Sequence, residues 1–103
     1  MVRFENNSEK ETITLFFTGR MDTINSTSLV ETIPSNLPKG DQLAVWNIVF
    51  DLAEVDYISS SFIRICVNVA KMAAPGKFSI VNSQPFIKKT FKVSGLDEAL
   101  KVS

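Results

Sequence analysis

The sequence predicts an α/β fold: one domain over residues 1–103, with a mixed, mostly parallel β-sheet of about four to five strands packed with about four helices. Three observations predict it. Apolar runs of strand character alternate with segments of helical spacing, the pattern of parallel strands joined by right-handed crossovers. The first two runs are separated only by the polar stretch Asn6-Asn7-Ser8-Glu9-Lys10 and read as an antiparallel hairpin at one sheet edge. The composition, 45% apolar and 21% charged over 103 residues, suits one globular core and excludes bulk disorder.

The hairpin strands are Val2-Arg3-Phe4-Glu5 and Thr12–Thr18. In the second, Ile13, Leu15 and Phe17 fall on one face because strand side chains alternate. Gly19 is expected to end this run, and Asn25 or Ser26 to cap a short helix through Thr27–Glu31 that Pro34 and Pro38 break. Ala44–Phe50 is apolar on both faces apart from Asn47 and reads as a central strand covered on both sides, with Trp46 in the core. Phe62–Ala74 has helical spacing, with Arg64, Asn68 and Lys71 in one solvated stripe. Cys66 lies on the apolar side of that helix as a small buried hydrophobe. Lys77–Asn82 is a further strand. Ser83 is expected to cap a last helix with Pro85 in its first turn, Phe86, Ile87 and Phe91 inward, and Lys88, Lys89 and Lys92 solvated. That helix ends near Gly95, and an amphipathic turn follows from Leu96.

Several function classes are excluded or disfavoured by residue type. There is no histidine, which removes imidazole as base, ligand and switch near neutral pH. A nucleophilic serine would therefore need a lysine as base, and Lys71 lies about three turns along its helix from the serines discussed below, so the chain is not expected to be an enzyme. The single cysteine excludes an internal disulfide. Asp51, Glu54 and Asp56 carry oxygen ligands suited to Mg²⁺, but one short acidic loop is a weak signal, and no metal or cofactor is expected. Eleven basic residues balance eleven acidic ones, which argues against direct nucleic-acid binding. The charge is uneven: residues 1–56 hold four basic and nine acidic residues, residues 57–103 seven and two. No segment has the apolar length of a membrane span or a signal peptide, so a cytoplasmic protein without membrane insertion is expected.

The informative segment is Phe50-Asp51-Leu52-Ala53-Glu54-Val55-Asp56-Tyr57-Ile58-Ser59-Ser60-Ser61-Phe62-Ile63, where an apolar strand closes in a carboxylate and three serines stand at the start of the largest helix. One serine at a helix start serves as an N-cap. This segment, the strand Phe78–Asn82, the ending Val93-Ser94-Gly95-Leu96-Asp97-Glu98-Ala99-Leu100 and the element Gly19-Arg20-Met21-Asp22 together resemble the STAS domain, the family of bacterial anti-sigma factor antagonists. In that family a strand leads through an isoleucine to Asp-Ser-Ser-Gly and a helix. The resemblance matches Ile58 to the isoleucine, Ser59 to the Asp position, Ser60 to the phosphorylatable serine, Ser61 to the residue after it and Phe62 to the glycine position. Asp22 matches an acidic position near the phosphoserine loop.

The resemblance implies a regulatory binding protein that engages a serine kinase acting as anti-sigma factor and is switched by phosphorylation of Ser60, with Ser59 and Ser61 as competing sites. Its partner surface would comprise Asp22, Asp56, Tyr57, Ile58, Ser59, Ser61, Phe62 and Arg64. The alternative is an unphosphorylated docking subunit of a transporter or sensor complex, with the contact built around Phe62. The sequence leaves self-association open. Phosphorylation would add ≈ −1.5 to −2 charges at a helix N-terminus flanked by Asp22, Asp51, Glu54 and Asp56.

Overall fold

In a computed structural model describing residues 1–103, β1 (Val2–Asn7) and β2 (Thr12–Met21) form the expected hairpin. They are followed by α1 (Thr23–Ser35), a 3-10 turn at Gly40–Ala44, β3 (Asn47–Ile58), α2 (Ser60–Met72), β4 (Phe78–Val81) and α3 (Pro85–Val93). The four strands make one sheet in the order β1-β2-β3-β4. β1 runs antiparallel to β2, and the other two pairings are parallel. The α/β class and the mixed sheet thus stand, with three α-helices where about four were expected.

Alternation along β2 buries Ile13, Leu15 and Phe17, and their register partners Ile48 and Phe50 on β3 lie on the same face. Phe62 of α2 packs there. Its ring lies 5.2 Å from that of Phe17, edge-on, and 6.4 Å from that of Phe50. Phe78 of β4 closes the row, 5.0 Å from Phe50. Tilted and edge-on pairs of this kind add about 0.5–1.5 kcal/mol each beyond area burial.

β3 departs most from the sequence reading. It begins at Asn47, leaving Trp46 half-buried ahead of it, and continues to Ile58, so the expected acidic connection is itself strand. Its second face is only partly covered, since Asn47 and Val49 are half-buried. The cause of the misreading is bulging. Between Phe16/Asp51 and Thr18/Glu54, and again between Gly19/Val55 and Arg20/Tyr57, β3 carries one more residue than β2. Each extra residue re-phases the alternation, so the buried residues run Phe50, Leu52, Val55, Ile58, at a spacing of three toward the end. Gly19, expected to end β2, lies within it at the second irregularity with φ +92°, a conformation that strains any residue bearing a Cβ.

The helix boundaries shift for reasons of capping. α1 starts at Thr23, not Thr27, because Asp22 is its N-cap: the carboxylate accepts from the Asn25 backbone N–H at 2.9 Å. Pro34 is tolerated one residue before the helix ends. α3 is preceded by Gln84 rather than capped by Ser83, whose Oγ is buried without a partner. Ile87 and Phe91, one turn apart, face the core. Phe86, expected inward, is about 100° away from Ile87 on the helix and is 66% exposed.

Asp51 ties β3 to the chain beyond β4. Its buried carboxylate accepts from the Ala53 backbone N–H at 3.0 Å and from the Asn82 side-chain amide at 2.9 Å. The C-terminal residues cover the outer edge of β4, where the Ser103 N–H donates to the Ile80 carbonyl at 2.9 Å and Val102 bridges Ile80 in parallel.

Two outcomes follow from this core. Phe62→Ala should lower stability by about 3–5 kcal/mol, measured as a reduced urea midpoint, since it leaves a cavity against the Phe17–Phe50 pair. Cys66 is fully buried, and desolvation pushes its thiol well above the ordinary range. It should therefore resist a water-soluble thiol reagent until denaturant opens the fold, and rapid labelling in buffer would contradict the packing of α2.

Candidate functional site

β2 and β3 end side by side. Met21 pairs with Ile58, and the Ser59 backbone N–H donates to the Met21 carbonyl at 2.9 Å. The next residues, Asp22 and Ser59, are the N-caps of α1 and α2. Two helix N-termini, each a local concentration of positive partial charge, therefore open at the same end of the sheet.

The three serines divide the work of the α2 start. Ser59 is the cap: it is 7% exposed, and its Oγ accepts from the Phe62 backbone N–H at 3.2 Å. Ser60 is the first helical residue and is exposed, outside the capping bond. Ser61 is half-buried and lines a shallow cleft between α1 and α2 together with Arg64, Asn68 and Ser26. The Ser26 hydroxyl is buried there without a partner.

The residues expected at a partner surface are not all brought to it. Asp22 is half-buried, Asp56 and Arg64 are exposed, and Tyr57 is half-buried. Ile58 is 6% exposed and Phe62 fully buried, so neither side chain reaches a partner, and a contact built around Phe62 is excluded. Ser59 is withdrawn from the surface by its cap bond, which corrects its expected place both as a contact and as a competing acceptor. The reason is geometric. Two residues along a helix turn the side chain by about 200°, so burying Phe62 sends Ser60 to the solvent side.

The expected acidic surround of Ser60 is corrected at Asp51. At ~3.3 Å per strand residue, Asp51 lies roughly 26 Å below Ser59 along β3. Its carboxylate is occupied by Ala53 and Asn82. Glu54 and Asp56 are exposed on the bulged stretch between. Asp51, Glu54 and Asp56 form no converging ligand group for a metal ion.

Two residues at this end of the sheet were not singled out from sequence. Arg20 lies with its guanidinium 4.2 Å from the centroid of the Tyr57 ring, across the β2–β3 register pair. Ile24, in the first turn of α1, is 84% exposed. Arg20 could have been found as the variable residue of Gly19-Arg20-Met21-Asp22. Ile24 carried no periodicity signal, because the helix was expected to start after it.

The STAS domain family model matches residues 3–103. The chain belongs to the STAS domain family. Among curated proteins this STAS chain is similar to a candidate anti-sigma factor antagonist, BtrV, of Bordetella bronchiseptica, at 28% identity over 79 residues. The match takes in 75% of the chain and 65% of that relative's length. Among solved structures it is similar in fold to the anti-sigma factor antagonist SpoIIAA in its unphosphorylated form. That likeness has a TM-score of 0.76 and 18% identity, covering 100% of this chain and 88% of the other. No helix of the STAS chain is long and apolar enough to cross a membrane.

The cap assignment gives a direct test. Ser59→Ala should destabilise the protein by about 1 kcal/mol through loss of the α2 cap. Ser60→Ala should stay within about 0.5 kcal/mol of the parent, as a surface change. Chemical denaturation of both variants checks this, and the opposite order would reassign the cap.

Proposed function

We propose that this STAS protein is an anti-sigma factor antagonist that binds a partner of the serine-kinase, anti-sigma factor type, and that phosphorylation of Ser60 releases it. The observation that carries the reading is the division of labour at α2. The helix takes its cap from Ser59, so Ser60 is free for covalent change without loss of the fold. The similarity to proteins named as anti-sigma factor antagonists supports the class of partner.

The docking surface is the ground around Ser60: the half-buried Asp22, Tyr57 and Ser61 and the exposed Asp56 and Arg64, joined by Arg20 and Ile24. Phe62 in the glycine position does not crowd the acceptor hydroxyl, because its ring is in the core. Its burial also removes the apolar contact around which the unphosphorylated docking subunit was to be built. A phosphate on Ser60 gains from the α2 N-terminus, whose backbone N–H groups and dipole favour an anion. A partner seated over the unmodified hydroxyl would meet that charge at contact distance. Unit charges ~4 Å apart interact by about 1–4 kcal/mol between bulk water and an effective dielectric of 20, so no change of fold is needed to release the partner.

The protein isolated from its host is expected to contain a species carrying one phosphate, absent in Ser60→Ala, as read by intact-mass analysis. With the partner purified, Ser60→Asp should weaken binding by roughly 1–3 kcal/mol in calorimetry while Ser60→Ala binds like the parent. Equal affinity of Ser60→Asp and the parent would refute release by charge.

A further inference from the structure

α3 presents to solvent a face that the core does not use. Ile87 and Phe91 are buried, while Phe86 and Val93 are 66% and 79% exposed. At about 100° per residue, Phe86, Thr90 and Val93 fall within one narrow arc, and Lys89, Lys92 and Lys88 follow in turn on one side of it. Phe86, Lys89, Thr90, Val93 and Ser94 line one shallow groove. The three lysines are exposed and unpaired, since the protein's one ion pair is Arg3 with Glu5, and α3 itself holds no acidic residue. A shallow groove with two apolar side chains beside three uncompensated positive charges is complementary to an apolar ridge edged with carboxylates.

We propose that the outer face of α3 is a second docking surface, which takes an acidic amphipathic helix of a partner protein. Phe86 and Val93 are seven residues apart, about 10 Å along the axis, which is the spacing of i and i+7 anchors on a facing helix. Carboxylates on that helix meet Lys89 and Lys92. A second copy of this chain cannot supply the helix: α1 has Glu31 as its sole acidic residue, and α2 and α3 have none. A lipid surface is also a poor occupant. Binding in a bilayer interface scales with apolar area buried, and here two side chains separated by a threonine offer little.

This surface is separate from the one around Ser60. The Gln84 side chain at the start of α3 donates to the Ala53 carbonyl at 3.3 Å, and Ala53 is six strand residues, or roughly 20 Å, below Ser59. The inference therefore does not rest on phosphorylation.

The test uses three synthetic helices with the same leucine face and a polar face of glutamate, glutamine or lysine, titrated into the isotopically labelled full chain and followed by amide shifts. The glutamate helix should shift the amides of residues 85–94, leave residues 60–64 unmoved and bind at least tenfold more tightly than the glutamine helix. The lysine helix should not bind. Phe86→Ser and Lys89→Glu, both at exposed positions, should each weaken the glutamate helix at least tenfold, and Ser60→Asp should leave it unchanged. Equal binding of the glutamate and glutamine helices, or shifts mapping elsewhere, would overturn the proposal. Binding of phosphatidylglycerol vesicles without the glutamate helix would assign the face to lipid. Concentration-dependent self-association abolished by Phe86→Ser would assign it to a second copy.

Discussion

The packing of the Phe62 ring against the Phe17–Phe50 pair governs the geometry of the site. A helix resting on a sheet can rotate about its axis unless a large side chain keys it, and in α2 that key lies in the first turn. Full burial of a phenylalanine is worth about 1.5–3 kcal/mol, and the edge-on contacts add to it. Rotating α2 enough to withdraw Ser60 would forfeit that burial. The same constraint places Ser59 under the helix start, where its hydroxyl is close enough to Phe62 N–H to cap it. Core packing and surface presentation are thus two sides of one turn.

β3 does a complementary task along its length. Its lower part, Ile48–Asp51, is a parallel strand held between β2 and β4. Its upper part has only β2 for a partner, and two extra residues bend it there. Asp51 stands at the junction between the two parts. It fastens the strand to Asn82, which adopts φ 58°, a left-handed conformation that asparagine tolerates better than most residues. An acidic side chain that reads as a binding group in sequence is therefore a bracket in the fold.

Much of this was legible in the sequence. The hairpin, the parallel strands, α2 and α3 follow from periodicity, and the family resemblance rests on motifs that the family match spans. What was lost was lost for identifiable reasons. Leu52, Val55 and Ile58 imitate irregular spacing because bulges break the period of two. Asp22 was noticed as an acidic group near the serines but not as a cap, so α1 was read four residues short at its start. Phe62 stood in a motif position whose usual occupant is small, which suggested exposure. Which face of a helix a residue occupies depends on where the helix begins, and a first helical residue at Ser60 instead of Phe62 reverses the argument. Phe86 was misplaced by the simple rule that aromatic residues lie inward.

α1 gives the site an unequal pair of walls. The side chains of Thr27, Ser28, Thr32 and Ser35 all donate to carbonyls of α1 itself. Hydroxyl residues of this kind are poor helix formers, and back-bonding does not make up the difference. α1 is held to the protein chiefly by Leu29 and Ile33, with the unpartnered Ser26 hydroxyl between it and α2. It is therefore the helix least able to stand alone, and local unfolding of the protein should begin there. The wall of the cleft facing α2 is the compliant one, so a molecule settling against it would be registered first as slower amide exchange along α1.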